Sequence, residues 1–448
     1  MSNKTTGARA SGTYLANVRD QYEAFPFPKR DPADEKQRLH IAEYDYLGRI
    51  NHYCFGGRRD FRGGFRAMVA GGGTGDALIF LAEQLRHRAP DAEVVYVDIS
   101  SASMAIARER AAARGLDNIR WVQASILDLP NLDVDPVDYI SCTGVLHHLA
   151  DPDAGLAALS AVLAADGGMC LMVYGRYGRY GRGDIYTIQD LLRLALADEA
   201  DLEARIDGAQ AVLASLPERH PFFRGADPSA FLARFFEDRA NVFDTFLHEQ
   251  DRPYSVPELY DFVERQGLQL IAFTNFQRAT PIYRIQYDPA TYVNDADLLA
   301  RICAQPLRQQ QAIAEIIDGR MGLHTCYVSR RADAAAEPGD DMVPWLAYRE
   351  LQDLRRQVVE GAQPRITLEL KNGLTVGLER RDGTGEVFRA IDGRATVGEI
   401  VAAVADRCAG LDPDAARAEF LRIYRCLNDL DWLLLRDRTV PPLAPMPL

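Results

Sequence analysis

Between residues 66 and 175 short apolar runs alternate with segments of helical periodicity, the pattern of a parallel sheet whose crossover helices cover both faces. The first run, Arg66 to Ala70, breaks into Gly71, Gly72, Gly73, Thr74 and Gly75 and then into a helical segment from Ala77 to Leu85. Glu93 to Asp98 reads as a second buried strand. Ser101 to Arg114 reads as a helix with Ser100 or Ser101 as N-cap and Gly115 just past its end, and Asp151-Pro152 opens another that stops near Ala165, each by the residue chemistry of helix termini.

The pattern then changes. From Asp184 to about Gln266 it is mostly helical, with periodic Leu, Ile and Phe, long for a connection and so read as an inserted helical cap; Ser255-Val-Pro-Glu258 is a capping box within it. Leu268 to Phe273 and Thr325 to Arg330 are strand-like and complete the sheet as a last, antiparallel pair, with further helix from Asp295 to Asp318 between them. The small polar residues that follow Arg331 mark 332–345 as a linker. Beyond it, residues 346–448 form a small α+β unit: a hairpin around Lys371-Asn372-Gly373, a capping box at Thr396 and Glu399 before a helix to Cys408, a helix from Asp412-Pro413, and a closing strand at Trp432 to Leu435.

Composition narrows the class. With 448 residues and 47 % apolar content the chain has ample material for two or three domains. A formal net charge of −13 argues against a nucleic-acid partner. No apolar stretch reaches the ~18 residues of a membrane span, and the polar N-terminus lacks the core of a signal peptide. The seven cysteines have no Cys-x-x-Cys pair, which points to free thiols in a reducing cytoplasm and to no metal. Residues 1–12, small and polar, are expected to be disordered.

The chemistry centres on the glycines. Without Cβ atoms, Gly71, Gly73 and Gly75 let backbone approach a ligand at a helix N-terminus. Their G-x-G-x-G spacing does not fit the dinucleotide fingerprint G-x-G-x-x-G. Asp98, roughly 23 residues after Gly75, stands at the offset where such folds place a ribose-binding carboxylate.

At these residues the chain resembles the class I S-adenosylmethionine-dependent methyltransferases, over roughly residues 40 to 330. Val69 to Gly75 is similar to their glycine motif, Asp98 to the acid after their second strand, Pro136 to Cys142 to their fourth strand, Thr143 to Pro152 to the loop after it, and Ala165 to Val173 to their turn and fifth strand. The resemblance implies a doubly wound, mostly parallel seven-stranded α/β sheet and a methyltransferase domain over 66–331, with residues 1–65 as an arm and helices covering the cofactor site. S-adenosyl-L-methionine is the implied cofactor. The residues that would hold it are Ala70, Gly71, Gly72, Gly73, Thr74, Gly75, Asp98, Ile99, Ser125, Ile126 and Thr143, with Tyr22 closing the pocket from the aromatic arm segment 21–28 and Tyr44 or Tyr46 able to do the same. Two departures stand out. Many members carry an acid where this chain has Val69, and another where it has Ser125.

Transfer from a sulfonium needs alignment and exclusion of water, with a base only where the acceptor must lose a proton. His147 and His148 follow the fourth strand on the ligand-binding side of the sheet and are catalytic candidates; the bland alternative is packing and helix capping. Arg176, Tyr177, Arg179 and Tyr180 lie on a three-residue glycine beat, read as a flexible loop. Tyr177 is a third catalytic candidate, and Arg176, Arg179 and Tyr180 would grip an anionic substrate or else be solvated. His248-Glu249 and Arg252-Tyr254 are weaker candidates for the same wall. The acceptor is expected to be a small molecule or a peptide. The alternative is an inactive binding or scaffold protein. The phrase from Ile391 to Ile400 makes the C-terminal unit resemble PqqD-type winged-helix peptide-binding domains. For that unit a structural or homodimerising role and peptide recognition both stand open.

Overall fold

The computed structural model describes residues 16–89, 91–181, 185–223, 227–248, 250–275 and 282–446. The segment 1–12 lies outside them. Strands β1 (Arg66–Ala70), β2 (Glu93–Asp98), β3 (Ile119–Gln123), β4 (Val137–Thr143), β5 (Leu163–Tyr174), β6 (Gln269–Phe273) and β7 (Leu323–Ser329) form one sheet. Its order is β3-β2-β1-β4-β5-β7-β6. The pairings from β3 through β5 are parallel, and β7 runs antiparallel to both neighbours. The doubly wound seven-stranded sheet is the one the sequence implies.

Successive side chains of a strand point to opposite faces. Ala67 and Val69 of β1 therefore join Val94, Tyr96, Tyr139 and Cys170 in one core. Met68 and Ala70 join Val95, Val97, Ile140 and Leu171 in another. A parallel sheet buried on both faces needs strands that are apolar throughout. Ser100 caps the helix Ser101–Arg114, accepting the Ser103 N–H, and Gly115 ends it with φ 65°.

Between β5 and β6 the chain runs through helices Ile185–Ala195, Leu202–Ala214, Pro228–Phe236 and Arg239–Val242, then one widened π-turn, Phe243–Leu247. These bury their own cluster around Ile188, Ile206, Leu213, Phe222 and Phe246. The capping box at Ser255 and Glu258 forms as read.

Residues 176–181 correct the sequence reading. They are a helix, Arg176–Gly181, and not a flexible loop. The glycines serve close approach: a Cβ on Gly175 would meet the Met321 carbonyl oxygen at 2.3 Å, and one on Gly178 the Gly322 nitrogen at 2.1 Å. The backbone crosses residues 321–323 with no room for side chains, so the beat records packing.

The segment expected as a linker, 332–345, is held against the fold. Gly56 donates to the Ala334 carbonyl (2.7 Å), Ala336 donates to the His52 carbonyl (2.7 Å), and a strand, β8 (Met342–Leu346), begins inside it. Strands β9 (Arg365–Glu369) and β10 (Thr375–Glu379) are the hairpin, and β11 (Leu433–Asp437) pairs antiparallel with β8. Trp345, Phe388, Phe420 and Leu433 of this C-terminal part share one apolar core with Leu47, Tyr53 and Tyr327. Asp431 is the polar hub of that junction. Fully buried and at φ 59°, it accepts hydrogen bonds from the Tyr53 hydroxyl, the Thr274 hydroxyl (2.8 Å) and the Asn275 N–H (3.0 Å). Arg49 stands 3.5 Å away.

Candidate active site

A cavity of about 520 Å³ opens at the carboxyl ends of the central strands, lined by Ala70 from β1, Asp98 from β2, Thr143 from β4 and Tyr174 from β5. Ligands of open α/β sheets bind at this edge, and the volume suits a small molecule. Of the glycine loop, Gly71, Gly72 and Gly73 line it. Gly71 (φ 69°) and Gly73 (φ 52°) hold the left-handed conformation. Gly72 lies against the Tyr96 ring, 2.4 Å from where its Cβ would be. Thr74 and Gly75 do not line the cavity. The Thr74 N–H and hydroxyl donate to the Phe27 and Pro28 carbonyls (3.2 and 2.6 Å), and Gly75 packs on Ala107.

Asp98 faces the cavity and is 8 % exposed. Its carboxylate accepts the Gly73 N–H (2.7 Å) and the Ser100 N–H (2.8 Å), which aims it across the loop. Burial raises its pKa to about 6 against the pull of those two donors. Ligand hydroxyls donate best to the ionised form. Donor affinity, read by calorimetry, should therefore fall as pH drops through about 6. Asp98→Asn should flatten that dependence and cost ~1–3 kcal/mol of binding; an unchanged affinity would place the ligand elsewhere. In the absence of ligand the sign is the reverse for folding. A carboxyl whose pKa is raised from 3.8 to about 6 makes the protein less stable as pH rises through that window.

Ile99, Ser125 and Ile126 continue the wall, with the Ser125 hydroxyl also capping the Leu127 N–H (3.2 Å). Val69 lines the cavity and offers no charge. Beneath Ser141, another lining residue, Asp45 is buried and accepts from the Tyr139 and Ser141 hydroxyls (2.7 and 2.8 Å), its pKa pushed up to about 7 by burial.

The N-terminal arm straps this cavity. Tyr22 accepts the Ser100 hydroxyl at its carbonyl (2.9 Å), and Glu23 receives the N–H groups of Ser101 and Ala102 (2.6 and 3.0 Å), a carboxylate at a helix N-terminus. Arg30 pairs with Asp76 (2.6 Å) and Glu35 with Arg110 (2.6 Å).

Asp244 from the π-turn also lines the cavity. It accepts the Tyr22 hydroxyl (3.3 Å) and the Tyr174 hydroxyl (3.1 Å), and the His148 Nε2 lies 3.9 Å off. The His148 Nδ1 meets the Gln250 carbonyl (2.8 Å), and its ring stacks on His248 at 3.8 Å. Burial and the neighbouring His148 hold the His248 pKa well below the ordinary value. Burial and the adjacent Asp244 charge hold Tyr22 protonated.

His148 and Tyr22 thus line the cavity, while His147 does not. The His147 ring is fully buried between His148 (4.1 Å) and Tyr174 (4.0 Å), and neither of its nitrogens has a hydrogen-bond partner among the described residues. Burial keeps it neutral.

Arg176 and Arg179 do not line it either. Arg176 pairs with Glu258 (2.6 Å); Arg179, buried, pairs with Asp251 (2.6 Å) and lies 3.6 Å over the Tyr174 ring. Tyr177 sits on the same helix, outside the lining. The Tyr180 side chain and Glu249 lie outside the described residues. Arg252, through its N–H, fixes the His147 carbonyl (3.0 Å). Asp244 belongs to none of the sequence motifs, whereas Tyr174 opens the glycine beat without standing out there as a site residue. The signal for Asp244 was an acid within Val242-Phe-Asp-Thr-Phe-Leu247, a charge in an otherwise apolar run.

Residues 68–170 match the methyltransferase domain family. An uncharacterized protein of Synechococcus sp. is 31 % identical over 264 residues, which is 58 % of this chain and 60 % of that relative. A demethylmenaquinone methyltransferase of Thermus thermophilus is 38 % identical over 102 residues, 23 % of this chain and 44 % of the relative. The ubiquinone/menaquinone biosynthesis C-methyltransferase UbiE of Idiomarina loihiensis is 31 % identical over 134 residues, 30 % of this chain and 50 % of the relative. The chain spans 44 to 60 % of the length of these relatives. Among solved structures, PKMT2 from Rickettsia typhi in complex with AdoHcy is similar with a TM-score of 0.57 at 14 % identity, covering 89 % of this chain and 76 % of that one. That likeness shows the fold. No helix among the described residues is long and apolar enough to cross a membrane.

Proposed function

Because the chain carries a class I S-adenosylmethionine-dependent methyltransferase domain, we propose that the whole protein transfers the methyl group of S-adenosyl-L-methionine to a small-molecule or peptide acceptor held beside Asp244 in the cavity. The observation that carries this reading is one cavity lined by two sets of groups. The first is a wall of glycine backbone beside the Asp98 carboxylate; the second is the Asp244 carboxylate with two phenols and a histidine. The residues present fit the donor, since Gly71 and Gly73 present bare backbone to the cavity, where a Cβ would meet Val145 or the Phe27 carbonyl oxygen, each at 2.4 Å.

When bound, the donor supplies a methyl on a positively charged sulfur, an electrophile that needs alignment more than activation. Gly71 to Gly73 and Asp98 hold the adenosyl part, with Ser125 and Ile126 beside the base. The arm, with Tyr22 and Phe27, excludes water. Tyr174 and Asp244 orient the acceptor, and His148, its Nδ1–H held by the Gln250 carbonyl, leaves Nε2 free to accept a proton. The other reading, a binding protein without turnover, draws on Val69, which leaves the end of β1 without an acid. Radiolabelled donor incubated with pure protein and a cell extract separates the two. A labelled product is expected; donor binding with no labelled product refutes transfer.

A further inference from the structure

We propose that Asp244 is a catalytic residue that receives a cationic nitrogen, and that the acceptor is therefore an amine. The inference rests on the methyltransferase reading and adds to it the class of acceptor. Its starting point is a charge imbalance. The charged groups lining the cavity are Asp76, Asp98, Asp151 and Asp244, and no lysine or arginine lines it among the described residues. Asp76 is neutralised by Arg30 and Arg110. Among the described residues no lysine or arginine pairs with Asp244: it is 6 % exposed, the Tyr22 and Tyr174 hydroxyls donate to it, and the His148 Nε2 lies 3.9 Å off. Arg179, over the Tyr174 ring, is engaged by Asp251. His248 and His147 stay neutral through burial. A buried carboxylate normally has a cationic partner, and here the ligand is left to provide it.

The timing of charge selects the acceptor over the donor as that partner. During transfer positive charge leaves sulfur, so a carboxylate serving the sulfonium would favour the ground state and slow the reaction. Once an amine acceptor has given up its proton, positive charge grows again on nitrogen as the N–C bond forms, and a carboxylate beside that nitrogen favours this transition state. The balance is complete. The ammonium gives one proton to Asp244, which hands it to His148; the freed lone pair forms the N–C bond, the C–S bond breaks, and its electron pair stays on sulfur as a neutral thioether. An anionic acceptor would meet unrelieved repulsion at this site. The π-turn fits the role, since such turns in helices often occur where a side chain serves function.

The test uses the full chain and two donor analogues in calorimetry. Sinefungin carries a primary amine where the donor carries its methyl sulfonium, and S-adenosyl-L-homocysteine carries neither. Wild type should prefer sinefungin by about tenfold or more, and Asp244→Asn should remove the preference while leaving S-adenosyl-L-homocysteine affinity unchanged, which also shows that the variant is folded. In the labelling assay the methyl should appear on nitrogen, and Asp244→Asn should lower transfer about a hundredfold. Tyr174→Phe, which removes one donor to the carboxylate, should have a smaller effect. No preference for sinefungin, a preference that survives Asp244→Asn, or label on carbon, oxygen or sulfur overturns the amine assignment and leaves the methyltransferase reading standing. Failure of both analogues to bind overturns that reading itself.

Discussion

Gly73→Val should reduce affinity for S-adenosyl-L-methionine by about a hundredfold or more in calorimetry, roughly 2.7 kcal/mol. Residue 73 sits at φ 52°, and a Cβ there would lie 2.4 Å from the Phe27 carbonyl oxygen. A β-branched residue in the left-handed region is strained by ~1–3 kcal/mol before any contact is counted. Relief requires either that the loop turn over or that the arm lift. Turning the loop withdraws the Gly73 N–H from Asp98, so the carboxylate loses its aim. Lifting the arm breaks the Thr74 bonds to Phe27 and Pro28 and lets water into the cavity. Gly115→Val is the matched control. Its φ of 65° imposes similar strain, but no atom lies within 4 Å of its Cβ, so it should cost stability and leave affinity unchanged. Equal effects of the two variants on affinity would mean that the loop contributes only general stability.

Asp431→Ala should destabilise the protein by about 3–5 kcal/mol, the usual result of removing one partner from a buried charge network. Burial works to raise the Asp431 pKa, but Arg49 and Arg284 outweigh it and hold the carboxyl below its ordinary value. Its loss leaves the Tyr53 and Thr274 hydroxyls and the Asn275 N–H without that acceptor. Arg49 would keep Glu43 (3.2 Å) and the Tyr348 hydroxyl, which moderates the cost. Because the network ties the helix Leu47–Cys54, the end of β6 and the C-terminal part together, the urea midpoint should fall for all three at once. Asp431→Asn, which keeps an acceptor but not the charge, should cost less. As a carboxyl with a depressed folded-state pKa, Asp431 contributes stability above pH 3.8 that is lost as pH falls through its folded value. A midpoint within experimental error of wild type would show that the junction is held by apolar packing alone.

The sheet was legible because its signals are local. Apolar strands and the helix ends at Ser100 and Gly115 follow from residue chemistry over ten or fifteen positions, while the pairing of β6 with β7, about fifty residues apart, is nonlocal. The Gly71 to Gly73 wall and Asp98 were legible for the same reason: a bare backbone and an acid at strand ends have few other uses together. The glycine beat from 175 to 181 misled because glycine serves mobility and close packing equally, and only the crossing with residues 321–323 decides which. Arg176 and Arg179 misled in the same way, since their partners Glu258 and Asp251 lie 82 and 72 residues away. The composition of 332–345 is that of a linker, yet the backbone bonds to His52 and Gly56 that hold it are nonlocal. The phrase from Ile391 to Ile400 contains a capping box, Thr396 with Glu399, which accounts locally for much of what made it distinctive. Asp244 was the most informative residue passed over, because its meaning depends on Tyr22 and Tyr174 arriving from the arm and from β5.

The most direct measurement is a crystal structure of the full chain with S-adenosyl-L-homocysteine. The ribose hydroxyls should lie within hydrogen-bond distance of the Asp98 carboxylate, the adenine beside Ser125 and Ile126, and the sulfur toward Tyr22 and Asp244. A ligand bound away from Gly71 to Gly73, or one whose ribose makes no contact with Asp98, would contradict the assignment of this cavity as the donor site.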